Sequence, residues 1–295
     1  MTLEDYEKLK EKYTKITNRA DYEISAYMKA KCSKKPDVKL IWDDLNNDER
    51  LKNKSRKVDG KYYVITLYVH LFHLFEEYLR NHHYSQEEID TILSYVVSYV
   101  YYHEYCHILM GHCSILTSVE SNIDTLTKKQ MEYACDMKAI DTMFVDAEVV
   151  YSQTEDLSGY EEAYGTFLSA LFLYFKFYEE KELQSMKNNI GTEKYETFTD
   201  DRRTHPFFTF RFEYLRSLID WHIEKRCKGR GENSKVILSD IYSKFDDLLC
   251  KYGNFERLKV NPWEYENAAE IDKIKNIDLN KINALCPEIF IDDLK

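Results

Sequence analysis

The sequence predicts a mainly α-helical fold with a small β element in its N-terminal third, an α+β architecture. Only 8 of the 295 residues are glycine and 4 are proline, which leaves little material for the many tight turns of an all-β fold. Apolar residues recur at helical spacing through most of the chain. The clearest β signal is the pair Asp59-Gly60 between two β-prone runs.

The N-terminal third contains both kinds of element. Residues 2–33 place apolar side chains three or four positions apart in a charged background, which predicts an amphipathic helix. Lys39–Trp42 is predicted as a short strand. Asp59-Gly60 predicts a two-residue hairpin turn, because both turn positions need positive φ. A further helix is expected over Leu71–Asn81.

The rest of the chain is predicted to be mostly helical. Ser85 and Glu88 fit a capping box that begins a helix, and no breaker follows until Gly111, a natural stop. Pro206 can occupy a first helical position, where its missing N–H costs nothing. Further helices are expected over Lys128–Val150, Tyr160–Leu183, Pro206–Arg226 and residues 234–252.

We expect a single domain over residues 1–295. The chain has a mass of 35.4 kDa, and 44% of its residues are hydrophobic, which is enough for a substantial core. It contains no internal repeat and no Gly/Ser-rich linker. Within the domain we distinguish a helix and hairpin region at 1–84, a catalytic helical core at 85–226 and a C-terminal helical extension at 227–295.

The composition restricts the class of partner and the compartment. A net charge of −11 is unfavourable for nucleic-acid binding, which needs cations that neutralise phosphates. The most apolar run, Thr166–Phe177, is shorter than the roughly 20 residues of a membrane span, and the charged first residues do not resemble a signal peptide. Seven irregularly spaced cysteines do not form a disulfide pattern. We therefore expect a cytoplasmic protein with no nucleic-acid partner and no membrane span.

Residues 101–112 read YYHEYCHILMGH and contain three of the nine histidines. Residues 103–107 match H-E-x-x-H. On an α-helix His107 lies one turn beyond His103 and about 40° around the axis, so both imidazoles can reach one cation. Glu104 would lie beside that cation, where its carboxylate can deprotonate a metal-bound water. The pattern predicts half of a zinc site, although histidines that merely cap or pair in a helix would give the same letters.

A zinc site needs at least one more ligand. If the helix continued, His112 would point about 160° away from the other two histidines, so we interpret it as a structural or supporting residue. Glu132 and Asp136 form an i, i+4 pair on one face of a later helix. Glu132 can be the third ligand and Asp136 can orient a ligand histidine, which leaves a fourth position open. An ordinary solvated acidic pair is the alternative, and the nearby cysteines are interpreted as free buried thiols.

Together these motifs resemble those of the gluzincin zinc metallopeptidases, whose ligand plan is H-E-x-x-H followed by E-x-x-x-D. The longer patterns H-E-x-x-H-x-x-x-x-H and E-x-x-C-D resemble the branch that holds the HtpX-type and CaaX-prenyl proteases, although the family form has alanine where this chain has Cys135. That branch also carries a later His-Pro and an arginine, matched here by His205-Pro206 and Arg211. The resemblance implies that His205 supports the oxyanion of the tetrahedral intermediate and that Arg211 anchors a carboxylate, Asp136.

The resemblance covers residues 101–211, at motif positions only, and it implies a zincin-like core. Membrane-embedded members of the branch have spanning helices, which this sequence lacks. Its size and order of motifs are closer to the Lit-type phage-exclusion peptidases, relatives with the same H-E-x-x-H logic.

The sequence therefore predicts a zinc-dependent metalloendopeptidase that hydrolyses an intracellular protein or peptide. Zn²⁺ would be bound by His103, His107 and Glu132, with Glu104 as general base and His205 beside the oxyanion. The hairpin strands could provide a sheet edge for an extended substrate, or they could be scaffold only. The alternatives are a metal-binding regulatory protein, acting in phage defence or stress response by binding a partner, and a chance motif in a structural protein. The oligomeric state is not predicted.

Overall fold

A computed structural model describes residues 2–43, 53–118, 123–154, 157–190, 208–250, 276, 279–286 and 288–292. These residues are mainly helical with one small N-terminal sheet, which confirms the predicted fold class at this level. The strands are β1 (Val38–Asp43), β2 (Lys54–Val58) and β3 (Tyr62–Tyr68). The helices are α1 (Leu3–Lys31), α2 (Val69–Asn81), α3 (Gln86–Leu109), α4 (His112–Ser118), α5 (Thr125–Thr154), α6 (Leu157–Ile190), α7 (Phe208–Arg230), α8 (Ser234–Leu249) and α9 (Leu279–Leu285).

The predicted helices differ from the observed ones mainly at their ends. α2 follows β3 directly and begins at Val69, two residues earlier than predicted. α5 and α6 extend beyond both predicted ends, and α7 continues to Arg230 instead of Arg226. The short helix α4 was not predicted. The expected helix start at Pro206 lies outside the described residues.

The sheet has the order β1-β3-β2, with β3 in the centre. β2 and β3 are antiparallel, and Asp59 and Gly60 between them have φ angles of 49° and 67°, so the predicted hairpin and its positive φ angles are confirmed. The paired residues closest to the turn are Val58 and Tyr62, so the loop has three residues and not the predicted two. β1 pairs parallel to β3 on the other side. This parallel pairing could not be predicted from the hairpin motif, because a parallel neighbour arrives by a crossover that leaves no local turn signal.

Capping boxes lie at the starts of α1 and α3. Ser85 accepts from the backbone N–H of Glu88, whose carboxylate accepts from the Ser85 N–H, as the sequence predicted. Thr2 and Asp5 make the same reciprocal pair at the start of α1, which was missed in the sequence. Each such cap stabilises its helix by about 1 kcal/mol relative to alanine.

α3 is the central helix of the fold. It packs against α1, α2, α5 and α6 and also contacts β2 and β3. Because neighbours surround it, every residue of its last three turns, from Tyr99 to Leu109, is buried. A helix enclosed in this way needs apolar side chains all round, so its sequence shows no one-sided apolar stripe. Polar residues on these turns therefore lie in the interior of the protein.

The long helix α6 contains the apolar run Thr166–Phe177, which is largely buried. α6 packs against α3, α7 and α8. Gly165 allows α8 to approach closely, because a Cβ atom there would lie 2.9 Å from the carbonyl oxygen of Ile241 and 2.4 Å from Cβ of Lys244. Among the described residues, no helix is long and apolar enough to cross a membrane.

α3 ends against a segment from much later in the chain, residues 288–292. Gly111 has φ 78°, and a Cβ atom there would lie 2.3 Å from the carbonyl oxygen of Glu288, so glycine is required on two counts. The N–H of Phe290 donates to the carbonyl of Leu109 at 2.9 Å and so satisfies one open acceptor of the helix end. The Glu288 carboxylate accepts from Lys57 on β2. This segment therefore joins the end of α3 to the sheet.

Candidate metal centre

The buried residues on the last turns of α3 include two imidazoles and one carboxylate: His103, His107 and Glu104. An imidazole or a carboxylate in the interior costs free energy unless it is paired or binds a cation. The hydroxyls of Tyr101 and Tyr102, beside His103 on α3, donate instead to Asp21 and Glu23 of α1. The partners come from α5, which packs along α3.

His103, His107 and Glu132 converge between α3 and α5. The two Nε2 atoms of the histidines are 3.2 Å apart, and the Glu132 oxygens lie 3.3 Å from His103 Nε2 and 3.4 Å from His107 Nε2. A tetrahedral zinc ion with ligand bonds of about 2.0–2.2 Å separates its ligand atoms by about 3.3–3.5 Å. The three side chains are therefore spaced as ligands of one ion, and these residues could hold a metal ion.

The electrostatics of this space also favour a cation. Burial alone would lower the pKa of His103, but Asp136 and Glu132 raise it to about 10. The carboxylates thus stabilise a positive charge at the imidazole ring. A proton on His103 can supply that charge, and so can a divalent ion bound at Nε2.

Asp136, one turn after Glu132 on α5, is fully buried with both carboxylate oxygens engaged. Its Oδ1 lies 2.7 Å from Nδ1 of His103. Arg211 on α7 donates from Nε to Oδ2 at 2.8 Å and from Nη2 to Oδ1 at 2.5 Å. The hydroxyls of Tyr99 and Tyr214 donate to the same carboxylate. Burial alone would raise the pKa of Asp136, but Arg211 and His103 hold that pKa well below its usual range.

The contact between Asp136 and His103 determines which ring nitrogen is available to a metal. When the ring is neutral, an anionic carboxylate next to Nδ1 favours the proton on Nδ1 and leaves the lone pair on Nε2, the nitrogen that lies near His107 and Glu132. Arg211 fixes the carboxylate in a two-point contact. The position of Asp136 therefore favours the tautomer of His103 that a metal ligand needs.

Glu104 is buried close to His103, His107 and Glu132. Burial raises the pKa of Glu104, while the two histidines and a hydrogen bond with the Ser55 hydroxyl act in the opposite direction. Ser55 belongs to β2, so the sheet also contributes to the centre. A carboxyl group with a raised pKa can take up and release a proton, as general acid–base catalysis requires.

His112 lies against the other ring nitrogen of His107, with the two Nδ1 atoms 3.1 Å apart. The predicted orientation, pointing away from the other histidines, depended on a continuous helix, and the helix does not continue. The chain turns at Gly111 and α4 begins at His112, which returns this ring to His107. Burial and His107 lower the pKa of His112, which favours its neutral form. Nδ1 of the neutral ring can accept a hydrogen bond from Nδ1 of His107.

Cys135 completes a second group of donor atoms. Its Sγ lies 3.3 Å from Nδ1 of His112, and His107, His112 and Cys135 together could also hold a metal ion. This group uses Nδ1 of His107, whereas the group with Glu132 uses Nε2. Burial raises the pKa of the Cys135 thiol well above its usual range, so the thiol is protonated when no metal is bound. The seven cysteines form no disulfide in the described residues.

Most of the residues proposed from the sequence come together in the fold. One largely buried cluster contains these residues: His103, Glu104, His107, His112, Glu132, Asp136 and Arg211. His205 lies outside the described residues. Tyr99, Tyr214 and Ser55 were missed. Tyr99 precedes His103 by one helical turn, a spacing that could have marked it, whereas the contact of Ser55 with Glu104 joins distant segments and has no local signal.

No known protein-family model matches this chain, and no curated protein or solved structure matches it. The function must therefore be argued from the site itself.

Proposed function

We propose that the protein is a zinc-dependent metallopeptidase. The observation that carries the proposal is the convergence of His103, His107 and Glu132, with donor atoms 3.2–3.4 Å apart. The buried carboxylate of Glu104 lies close to these donor atoms. Three protein ligands and a fourth open position are the usual arrangement of catalytic zinc, whereas structural zinc usually has four protein ligands. This donor set supports zinc and a hydrolytic reaction.

Glu104 would be the general base and then the general acid of the reaction. His103, His107 and Glu132 would hold the zinc ion, which would act as a Lewis acid on a water molecule and on the peptide carbonyl. Glu104 would take the proton of the attacking water and deliver it to the leaving amine nitrogen as the C–N bond breaks. His205, by its resemblance to the His-Pro motif of related enzymes, would donate a hydrogen bond to the oxyanion.

Asp136 and Arg211 would act through the ligands. The Asp136 carboxylate lies 2.7 Å from Nδ1 of His103, and Arg211 donates to that carboxylate. This pairing agrees with the role that the gluzincin resemblance implies for the late arginine, and it supports a zincin-like centre of the HtpX and CaaX-prenyl protease type. The motif order supports the Lit-type peptidases as the nearer relatives. On this proposal the substrate is an intracellular protein or peptide and the enzyme is cytoplasmic.

Metal content tests the proposed ligand set directly. Elemental analysis of the purified wild type should give one zinc per chain, and Glu132→Ala should lose it or bind it much more weakly. Cys135→Ser is the matched control, because Cys135 belongs only to the second donor group. Loss of zinc in Cys135→Ser but not in Glu132→Ala would instead assign the ion to the second donor group, which uses Nδ1 of His107. No zinc in any of the three proteins after zinc addition would refute the proposal.

A second experiment separates an enzyme from a metal-binding regulator. A mixture of proteome-derived peptides is incubated with the wild type and with Glu104→Gln, and new amino termini are identified by mass spectrometry. Cleavage by the wild type that is reduced by at least about 10²-fold in Glu104→Gln, with zinc retained, is the expected result. Equal cleavage by both proteins would contradict the assigned role of Glu104.

A further inference from the structure

β2 is an edge strand beside the candidate metal centre. In the part of the chain that the structure describes, it pairs with β3 on one side only, so its other edge has no strand partner. The hydroxyl of Ser55, in the middle of β2, contacts the Glu104 carboxylate. An extended chain that paired with this edge would therefore pass next to the proposed general base.

The outward face of β2 carries two exposed cations, Lys54 and Arg56. They alternate with Ser55 and Lys57, which face α3 and α4. Lys57 is paired with Glu288, with Nζ and Oε2 2.5 Å apart. Among the described residues, neither Lys54 nor Arg56 lies within ion-pair distance of a carboxylate. Two exposed cations therefore lie on one five-residue strand of a chain with a net charge of −11.

The alternation of side chains on a strand relates these cations to positions in a bound peptide. A peptide residue opposite Ser55 would turn its side chain towards Glu104. The residues before and after it would turn outward, beside Lys54 and Arg56. Opposite charges at such facing positions stabilise strand pairing, and like charges destabilise it.

We propose that the open edge of β2 binds an extended peptide segment with two acidic side chains separated by one residue. That this segment is the substrate of a peptidase rests on the proposed function. The residue between the two acids would face Glu104, so the cleaved bond is expected next to it. Lys54 and Arg56 would thus determine specificity without contacting the reacting atoms.

Cations on an edge strand also have a purely protective role, since charge there prevents edge-to-edge association of sheets. Charge of either sign provides that protection. Reversal of both charges therefore keeps the protective role and removes only the preference for acidic partners. The two explanations make different predictions for one double variant, Lys54→Glu/Arg56→Glu.

The experiment measures binding in an inactive background. Zinc-loaded Glu104→Gln protein is titrated with three fluorescent nine-residue peptides, with Glu-Val-Glu, Lys-Val-Lys or the adjacent pair Glu-Glu-Val at the centre. We expect the first peptide to bind about tenfold more tightly than the other two, less so at high salt. Adding Lys54→Glu/Arg56→Glu should reverse the preference between the first two peptides. The matched control, Lys228→Glu/Lys235→Glu, changes the charge equally at exposed residues remote from β2 and should leave the preference unchanged.

Cleavage of the same peptides by zinc-loaded protein with Glu104 intact separates this inference from the proposed function. Charge-dependent binding with no cleavage would support the binding edge and refute the peptidase. Cleavage without a preference for Glu-Val-Glu, unchanged by Lys54→Glu/Arg56→Glu, would support the peptidase and refute the binding edge. Failure of all three peptides to bind would also refute it. Circular dichroism spectra that match the wild type show that each variant is folded.

Discussion

Asp136 and Glu76 are two buried carboxylates with similar neighbours and different consequences for the protein. Asp136 is 0% exposed and Glu76 is 2% exposed. Each accepts from a tyrosine hydroxyl and contacts an arginine. The partners are Tyr214 and Arg211 for Asp136, and Tyr13 and Arg80 for Glu76.

The two sites differ in where their counter-charge lies. The side chain of Arg211 is 8% exposed, so the charge of Asp136 is balanced inside the protein. Arg80 is 46% exposed, so water shares in balancing Glu76. Asp136 also contacts His103, a proposed metal ligand, whereas Glu76 joins α1 and α2. A buried carboxylate is thus not by itself the mark of a functional site, and its neighbours decide what it does.

The largest effect is expected from removing each charge. Asp136→Asn leaves Arg211 buried without its anion and should lower the free energy of unfolding by about 3–5 kcal/mol. Glu76→Gln should cost about 1–3 kcal/mol, because Arg80 can turn to water. Urea unfolding of the metal-free proteins measures both. Equal losses in the free energy of unfolding would show that the exposure of the arginine does not determine the effect of removing the carboxylate charge.

The same two variants should differ in zinc binding. Asp136→Asn no longer fixes the tautomer of His103, so zinc affinity should fall by about 10–100-fold in a competition titration with a chelator. Glu76→Gln should bind zinc as the wild type does. A comparable loss in Glu76→Gln would mean that general destabilisation, and not the contact with His103, lowers the affinity.

A smaller effect is expected from the tyrosines. Tyr214→Phe removes a hydrogen bond to a fully buried anion and should lower the free energy of unfolding by about 1.5–3 kcal/mol. Tyr13→Phe should cost about 0.5–1.5 kcal/mol, because its hydroxyl lies 3.3 Å from the Glu76 oxygen in a network that reaches solvent. Thermal or urea unfolding of the pair ranks the two networks, and the reverse order would contradict the comparison.

The smallest effect is expected at a third carboxylate, Glu288, which is partly exposed. Hydrogen bonds from Lys57, Tyr63 and Lys34 lower the pKa of Glu288 to about 2, below the ordinary value of 4.5. Its contribution to stability is therefore complete above the ordinary pKa and is lost as the pH falls from 4.5 towards 2. The metal-free wild type should be more stable than Glu288→Gln at about pH 6, with a difference that disappears in this acid range and shrinks in salt. A difference that persists at the lowest pH would contradict this account.

The sequence predicted those parts of the fold and site that depend on local spacing. The hairpin at Asp59-Gly60 and the capping box at Ser85 each need only a few neighbouring residues. The grouping of His103 with His107, and of Glu132 with Asp136, follows from one turn of helix.

The parts that could not be predicted depend on contacts between distant segments. Tyr214 is one of 25 tyrosines, and nothing in its surroundings in the sequence marks it as a partner of Asp136. The return of His112 to His107 depends on the turn at Gly111, where the close approach of the Glu288 backbone leaves no room for a side chain. A stop signal predicts where a helix ends, but the direction in which the chain continues is set by tertiary packing.

The contacts of residues 288–292 have a consequence for the order of events during protein synthesis. Lys57 and Glu288 are 231 residues apart in the sequence, and Ser33 and Asp292 are 259 apart. A ribosome makes the helix with the H-E-x-x-H motif long before it makes the N–H of Phe290 that caps that helix. The open carbonyl of Leu109 at the end of α3 therefore lacks this partner until residues 288–292 have been made. An incomplete translation product that lacks this segment would carry the proposed ligands without the contacts that close the end of α3.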